Sequence, residues 1–232
     1  MTLPNVAYFS MEIAMDQSLS TYSGGLGFLA GSHMLSAGYL QMPMVGVTML
    51  WSYGYYDQRI DHSGNVEVAY IRKYYDYLED TGIIVDVDTF GEKVKVKAYK
   101  VNPDLFGTCP VYLLTTDIEG NSEWARKISH KLYDGDEKIR VAQETVLGIG
   151  GIRILQAVGY NFDVTKCLGC GGRKNIVTFS FINGGFICKD CSQSYEINKI
   201  SKEAMMVVRN MFLLKEVEKL PYLSDEVFKE IL

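Results

Sequence analysis

Four of the five cysteines in this 232-residue chain fall within one 25-residue window, CLGCGGRKNIVTFSFINGGFICKDC, residues 167–191. Two residues separate Cys167 from Cys170 and two separate Cys188 from Cys191, with seventeen between the pairs. Two intervening residues let both thiolates of a pair turn onto one ion. Two such knuckles at the ends of a hairpin complete a tetrahedral four-cysteine site. The spacing points to zinc held by Cys167, Cys170, Cys188 and Cys191, with disulfides or a redox pair as the competing readings of the same residues. Four protein ligands leave no position for a substrate, so the expected role is structural: the ion replaces a hydrophobic core that so short a segment cannot build. Glycines at 169, 171 and 172 permit the tight turn, IVTFSF (176–181) and FIC (186–188) read as the hairpin strands, and NGG (183–185) as their turn.

A second arrangement with chemical potential is YSGGLGFLAGSHM, starting at Tyr22. Gly24, Gly25 and Gly27 sit between an expected strand and an expected helix. Without a Cβ the backbone there can approach a phosphate, and the free N–H groups of the first helical turn then point at the anion. A tight turn with no ligand accounts for the same glycines. Glu12 and Asp16 follow the first strand and read as part of a solvated turn. Glu137, Arg140 and Glu144 read as the wet face of a helix, with Arg140 and Glu144 at an i,i+4 spacing.

The elements that must position these groups follow from pattern. VAYFS (6–10) is a short buried strand, residues 28–41 a small apolar helix, and MPMVGVTML (42–50) a second buried strand. Strand, glycine loop, helix and strand in that order open an α/β unit with a parallel sheet. WSYGYYDQRI (51–60) is aromatic and reads as extended, residues 72–92 as acidic and turn-rich. KVKVKAYKV (93–101) alternates like a strand with one wet face, and CPVYLLTTD (109–117) reads as buried. A long helix is expected from Asp136, with Ile139, Ala142, Val146, Ile149, Ile152 and Leu155 forming one apolar stripe. Gly148, Gly150 and Gly151 lie inside it and each costs roughly 1 kcal/mol relative to alanine, tolerable only where another element packs close. The sequence names no such neighbour. Beyond the cysteines, Ser201 and Ser224 can cap two short helices.

Composition sets the class. The chain is ordinary globular material with 47% hydrophobic and 22% charged residues and a net charge of −5, so it is no electrostatic magnet for nucleic acid. Residues 1–160 carry 13 Lys and Arg against 19 Asp and Glu, whereas residues 161–232 carry 10 against 9. The amino-terminal residues lack a basic region followed by an apolar core, and no apolar run is long enough for a bilayer, so a cytoplasmic chain without membrane attachment is expected.

Two resemblances divide the chain at the same place. The segment from AYFSMEIAMDQSLSTYSGGLG to GVTMLWSYGYYDQ, and YDGDEKIRVAQETVLGIGGIRILQAVGY (133–160), resemble the amino-terminal part of bacterial and archaeal α-glucan (glycogen/starch) phosphorylases. That resemblance implies an α/β fold for residues 1–160, an incomplete Rossmann-like portion of the two-domain GT-B architecture. It also implies a parent activity, release of glucose 1-phosphate from α-1,4-glucans with pyridoxal phosphate and inorganic phosphate. Carried over, phosphate binding falls on Gly24, Gly25, Leu26 and Gly27. The family continues after this point with a catalytic histidine and a second domain bearing the cofactor lysine. None of His33, His62 and His130 stands in that context, so no glycosyl transfer is expected of this chain by itself.

Residues from about 159 to 232, through GYNFDVTKCLGCGG, FSFINGGFICKDC, ISKEAMMVVRNMF and LSDEVFKEIL, resemble the carboxy-terminal part of the recombination mediator RecO. That implies a small zinc ribbon followed by short helices for 161–232, with RecR or single-stranded DNA as partners. Arg173, Lys174 and Lys189 are its candidate DNA contacts, and a solvated face is the simpler reading of them. Together the resemblances describe a chimera with its seam near Tyr160.

Overall fold

The computed structural model describes residues 6–160, 166–180, 185–195, 197 and 200–206. Its elements run β1 (Val6–Phe9), α1 (Gly25–Tyr39), β2 (Met44–Met49), β3 (Asp57–Ile60), β4 (Val66–Ala69), β5 (Glu79–Thr89), β6 (Glu92–Val101), α2 (Pro103–Phe106), β7 (Val111–Thr115), α3 (Glu123–Lys127) and α4 (Glu137–Thr145). A π-helical turn (Val146–Gly150) and α5 (Gly151–Val158) follow, then β8 (Ile176–Ser180) and β9 (Gly185–Cys188). The chain divides into two compact units, Met1–Tyr160 and Asn161–Leu232. No described helix is long and apolar enough to cross a membrane.

The first unit is built on a five-stranded mixed sheet in the order β1-β2-β7-β6-β5. β1, β2 and β7 run parallel, while β6 and β5 are antiparallel additions. A Cβ on Gly46 of β2 would meet Met34 of α1, whereas Val47, its neighbour, lies against Gly151 of α5. Successive residues of a strand point to opposite faces, so the two helices cover opposite faces of the sheet. This explains why Val45–Met49 are buried without alternation.

The α1 helix is made of small residues because it presses backbone on backbone. A Cβ at Gly31 would run into the carbonyl of Ala14, and one at Gly38 would lie 2.5 Å from the Thr108 carbonyl carbon. Ala30, Met34 and Ala37 join Ile13, Leu19, Val111 and Leu113 in the core on that face.

The acidic segment 72–92, expected to be turn-rich, instead contains the eleven-residue strand β5. Its carboxylates mask the alternation: Asp80 pairs with Lys97 at 2.6 Å and Glu79 with Lys100 at 3.7 Å on β6, while Val87 and Thr89 turn inward. Cross-strand opposite charges of this kind support a sheet edge. Of residues 51–60, expected to be extended throughout, only Asp57–Ile60 form a strand. Trp51 is fully buried, its indole N–H donating to the Met11 carbonyl at 3.2 Å.

The helix expected from Asp136 does begin there, and the structure shows what caps it: the Asp136 carboxylate accepts from Lys138 N–H at 2.8 Å. It is not continuous. The π-helical turn inserts an extra residue, which rotates the following face by about 100°. The buried positions therefore pass from Ile139, Ala142 and Val146 to Gly150, Gly151, Ile154 and Leu155, leaving Ile149 and Ile152 half-buried. The missing neighbour of the glycines is the sheet itself. A Cβ on Gly151 would lie 2.5 Å from the Phe9 ring and 2.9 Å from Val47, and one on Gly150 3.3 Å from Val87.

In the second unit β8 and β9 form an antiparallel hairpin with Ile176 opposite Cys188 and Phe179 opposite Phe186. The turn expected at 183–185 falls partly outside the described residues. Phe186 and Met205 are buried together, packed by Ile176, Phe179 and Ile200. Ser201 caps the helical residues 202–206, its Oγ accepting from Ala204 N–H at 3.0 Å. The helix expected after Ser224 lies outside the described residues.

Candidate metal centre and glycine loop

The four cysteine sulfurs expected as ligands converge: those of Cys167, Cys170, Cys188 and Cys191 all lie within 4.8 Å of one another. All four are free thiols, Cys167 and Cys188 buried, Cys191 partly so and Cys170 exposed. The first knuckle closes through Cys167 N–H on the Gly172 carbonyl at 2.7 Å and Gly171 N–H on the Cys167 carbonyl at 2.8 Å, with Gly171 at a φ of 70° that favours glycine. Leu168 N–H, donating to the Phe186 carbonyl at 2.8 Å, seats that knuckle on β9. In the second knuckle Cys191 N–H donates to the Cys188 carbonyl at 3.2 Å.

Backbone donors also point at sulfur: Cys188 N–H reaches Cys167 Sγ at 3.3 Å and Gly172 N–H reaches Cys170 Sγ at 3.4 Å. Burial alone would push the Cys167 thiol up, but N–H groups of Cys170, Cys188 and Gly169 bring it down to about 6. Cys191 is pushed up to about 12, first by its hydrogen bond with Cys188. Four thiolates cannot crowd together without a cation between them. Tetrahedral zinc–thiolate bonds of about 2.3 Å require sulfurs roughly 3.8 Å apart, and Cys170 and Cys188 stand at 3.7 Å. The donor set and spacing fit a metal such as zinc.

The glycine loop is less open than its sequence suggests. Gly24 is the N-cap of α1 and Gly25 its first residue. Gly25 and Leu26 are exposed, while Gly27 is buried. The anion already present is Glu12, expected to be solvated but 2% exposed. Its Oε2 accepts from Ser23 N–H at 2.6 Å, Ser23 Oγ at 3.0 Å and Gly24 N–H at 3.3 Å, and its Oε1 from the Tyr133 hydroxyl at 2.8 Å. Burial works to raise the Glu12 pKa, yet these donors outweigh it and hold the carboxyl below its ordinary value. Gly27 has a packing reason too: a Cβ there would lie 2.9 Å from Glu12 Oε2 and 2.5 Å from Tyr22 Cβ. Asp16 does sit on the exposed turn expected of it, receiving Ser18 N–H at 2.8 Å.

Sequence reasoning missed a further polar cluster. Asp117, two residues past β7 and with its side chain 1% exposed, pairs with Arg72 at 2.5 Å and Arg126 at 2.8 Å, and accepts from Ser52 Oγ at 2.9 Å. Glu12 follows β1, Ser52 follows β2 and Asp117 follows β7, so the polar groups gather where the parallel strands end, the usual ligand side of such sheets. A cavity of about 280 Å³ lined by Tyr55, Tyr56, Tyr70, Lys131, Tyr133 and Asp134 lies in the same unit, and Tyr133 belongs both to it and to the Glu12 network. One signal was available in the sequence: each of these carboxylates follows an apolar run by one to three residues.

A mixed α/β unit with a polar strand-end cluster, and a second unit with a four-cysteine cluster, are the classes this chain presents. No family model matches it. It is 55% identical over 150 residues to an uncharacterised protein of Methanocaldococcus jannaschii, covering 65% of this chain and 29% of that protein. It is 35% identical over 165 residues to a maltodextrin phosphorylase of Thermococcus litoralis, covering 66% and 19%. It is 33% identical over 163 residues to a glycogen phosphorylase of Aquifex aeolicus, covering 66% and 23%. The chain thus spans less than a third of the length of the curated relatives it matches. The resemblance of residues 161–232 to RecO has no counterpart among these relatives.

Proposed function

We propose that the first unit is a phosphorylase-related segment that binds an oxyanion at the start of α1, and that the second is a small module held together by one structural zinc ion. The first part rests on the 33–35% identity shared with two phosphorylases over about 160 residues. On this reading Glu12 orders the loop through Ser23 and Gly24, and the anion meets the first-turn N–H groups of Gly25 and Leu26, both exposed residues. Glu12 contacts the loop at the Ser23 and Gly24 N–H groups, and Ala14 donates its N–H to the Gly27 carbonyl; neither is a lysine that could hold pyridoxal phosphate. The segment contributes a phosphate contact to phosphorolysis of α-glucans rather than the whole reaction. Zinc contributes charge neutralisation and crosslinking to the second unit, where Cys167, Cys170, Cys188 and Cys191 hold it. RecR or single-stranded DNA binding is a separate reading, for which 10 basic against 9 acidic residues in 161–232 offer little electrostatic support.

Titration of the isotope-labelled chain with inorganic phosphate and with glucose 1-phosphate tests the first part. The amide signals of Gly25 and Leu26 should shift and saturate. Unmoved amides at both sites would remove the proposed anion role.

A further inference from the structure

The four ligand cysteines are not equally reachable. Cys167 is 2% and Cys188 3% exposed, Cys191 is partly buried, and Cys170 lies open to solvent. Cys109 in the first unit is buried as well. A thiol that ligates a metal is deprotonated, and the thiolate is the form that reacts with electrophiles. The cluster therefore presents one nucleophile at its surface. The charges around it favour that state. Within residues 167–191, Arg173, Lys174 and Lys189 stand against the single acid Asp190, and all four are exposed. Reactive cysteines sit in partly exposed, electropositive settings of this kind.

Cys170 also has a second sulfur within reach. Its Sγ stands 3.7 Å from that of Cys188, on the opposite knuckle. Gly169, Gly171 and Gly172 flank Cys170 and add no side chain that would hinder closure to a disulfide bond of about 2.05 Å. Cys167, in the same knuckle as Cys170, is tied down instead. Its N–H and carbonyl close the turn with Gly172 and Gly171, and its Sγ accepts Cys188 N–H at 3.3 Å. Loss of the ion would reach the whole unit. Among the described residues the apolar core there is Phe186 and Met205, packed by Ile176, Phe179 and Ile200, too little to replace a metal crosslink.

We propose that Cys170 is a site of oxidation by hydrogen peroxide, and that its oxidation joins it to Cys188 and discharges the metal. This rests on the reading of the cluster as a zinc site. The Cys170 thiolate attacks one peroxide oxygen, the O–O bond breaks, and hydroxide leaves, which makes Cys170 a sulfenic acid. The Cys188 thiolate then attacks the Cys170 sulfur and displaces a second hydroxide as the S–S bond forms. Two thiolates have lost two electrons, one peroxide has gained them, and both hydroxides take protons from solvent. Two of the four ligands are consumed, and Cys167 and Cys191 do not by themselves complete a tetrahedral site. The second unit then loses its crosslink, so the oxidation state of one surface sulfur governs whether that unit stays folded.

Treatment of the wild-type chain with one equivalent of hydrogen peroxide tests this, with its zinc measured beforehand and a chromogenic indicator reading the zinc set free. Trypsin then resolves the product, because Arg173, Lys174 and Lys189 place Cys167 and Cys170 in peptide 167–173, Cys188 in 175–189 and Cys191 in 190–199. The expected result is release of one zinc per chain, together with a reducible link between peptides 167–173 and 175–189 that fragmentation places on Cys170. In a parallel sample, limiting iodoacetamide should alkylate Cys170 ahead of Cys167, Cys188 and Cys191. Release of zinc with Cys167 joined to Cys170, a link to peptide 190–199, or alkylation that starts at another cysteine overturns the proposal. So does retention of zinc with all four thiols intact. A chain that carries no zinc before peroxide removes the zinc reading itself, and this proposal with it.

Discussion

Glu12 offers the sharpest test of how the first unit is held together. Its carboxylate is almost fully buried and accepts four hydrogen bonds, from two backbone N–H groups and two hydroxyls. Glu12→Ala leaves those donors facing a small void. The Tyr133 and Ser23 hydroxyls can rotate to other partners, but the Ser23 and Gly24 N–H groups cannot, and each stranded donor costs about 1–3 kcal/mol. The expected loss is therefore about 2–6 kcal/mol, a large share of an ordinary domain's stability. Glu12→Gln keeps an oxygen for Ser23 and Gly24 and turns its amide toward Tyr133 Oη, which can accept, so only the charge-assisted part is lost, about 1–2 kcal/mol. The two variants also differ in pH response. The folded pKa of Glu12 lies below its ordinary value, so its contribution is present above the unfolded pKa and fades as pH falls through the folded one. Wild type should lose this stability below about pH 4.5, and Glu12→Gln should lack that component. Urea melts followed by tryptophan fluorescence read the result, because Trp51 bonds to the carbonyl of Met11, the residue before Glu12. Wild-type stability in Glu12→Ala, or equal losses in the two variants, would refute the argument.

Three further outcomes follow from the same geometry. Gly151→Ala should lower the thermal midpoint, because its Cβ would sit 2.5 Å from the Phe9 ring, whereas Gly148→Ala meets nothing within 4 Å and should raise stability by up to about 1 kcal/mol; equal effects would contradict the packing of α5 on the sheet. Asp117→Ala removes the carboxylate that Arg72 and Arg126 share, with an expected loss of about 3–5 kcal/mol in a urea melt, discounted toward the lower figure because both guanidinium groups reach solvent. Metal analysis should return one zinc per chain, and chelation or Cys167→Ser should abolish the cooperative melt of the second unit while leaving that of the first unchanged; a metal-free chain with both melts intact would remove the zinc reading.

The sequence by itself determined what depends on local chemistry. The spacing of Cys167, Cys170, Cys188 and Cys191 predicted their convergence, because two knuckles on a hairpin leave few other arrangements. Val45–Met49 and Val111–Leu114 announced themselves as buried strands by continuous hydrophobicity, the helix from Asp136 by its apolar spacing, and the helical residues after Ser201 by capping chemistry. Tertiary structure decided what depends on partners far along the chain. β5 was hidden because its carboxylates make sense only opposite the lysines of β6. The Gly150–Gly151 pair had no evident reason until the sheet came to lie against it, and the π-helical turn that brings those glycines inward leaves no mark in apolar periodicity. Glu12 is the clearest case. A carboxylate just after a strand reads as solvated, and only the return of the chain at Ser23, and again at Tyr133, 121 residues away, supplies the donors that make its burial favourable.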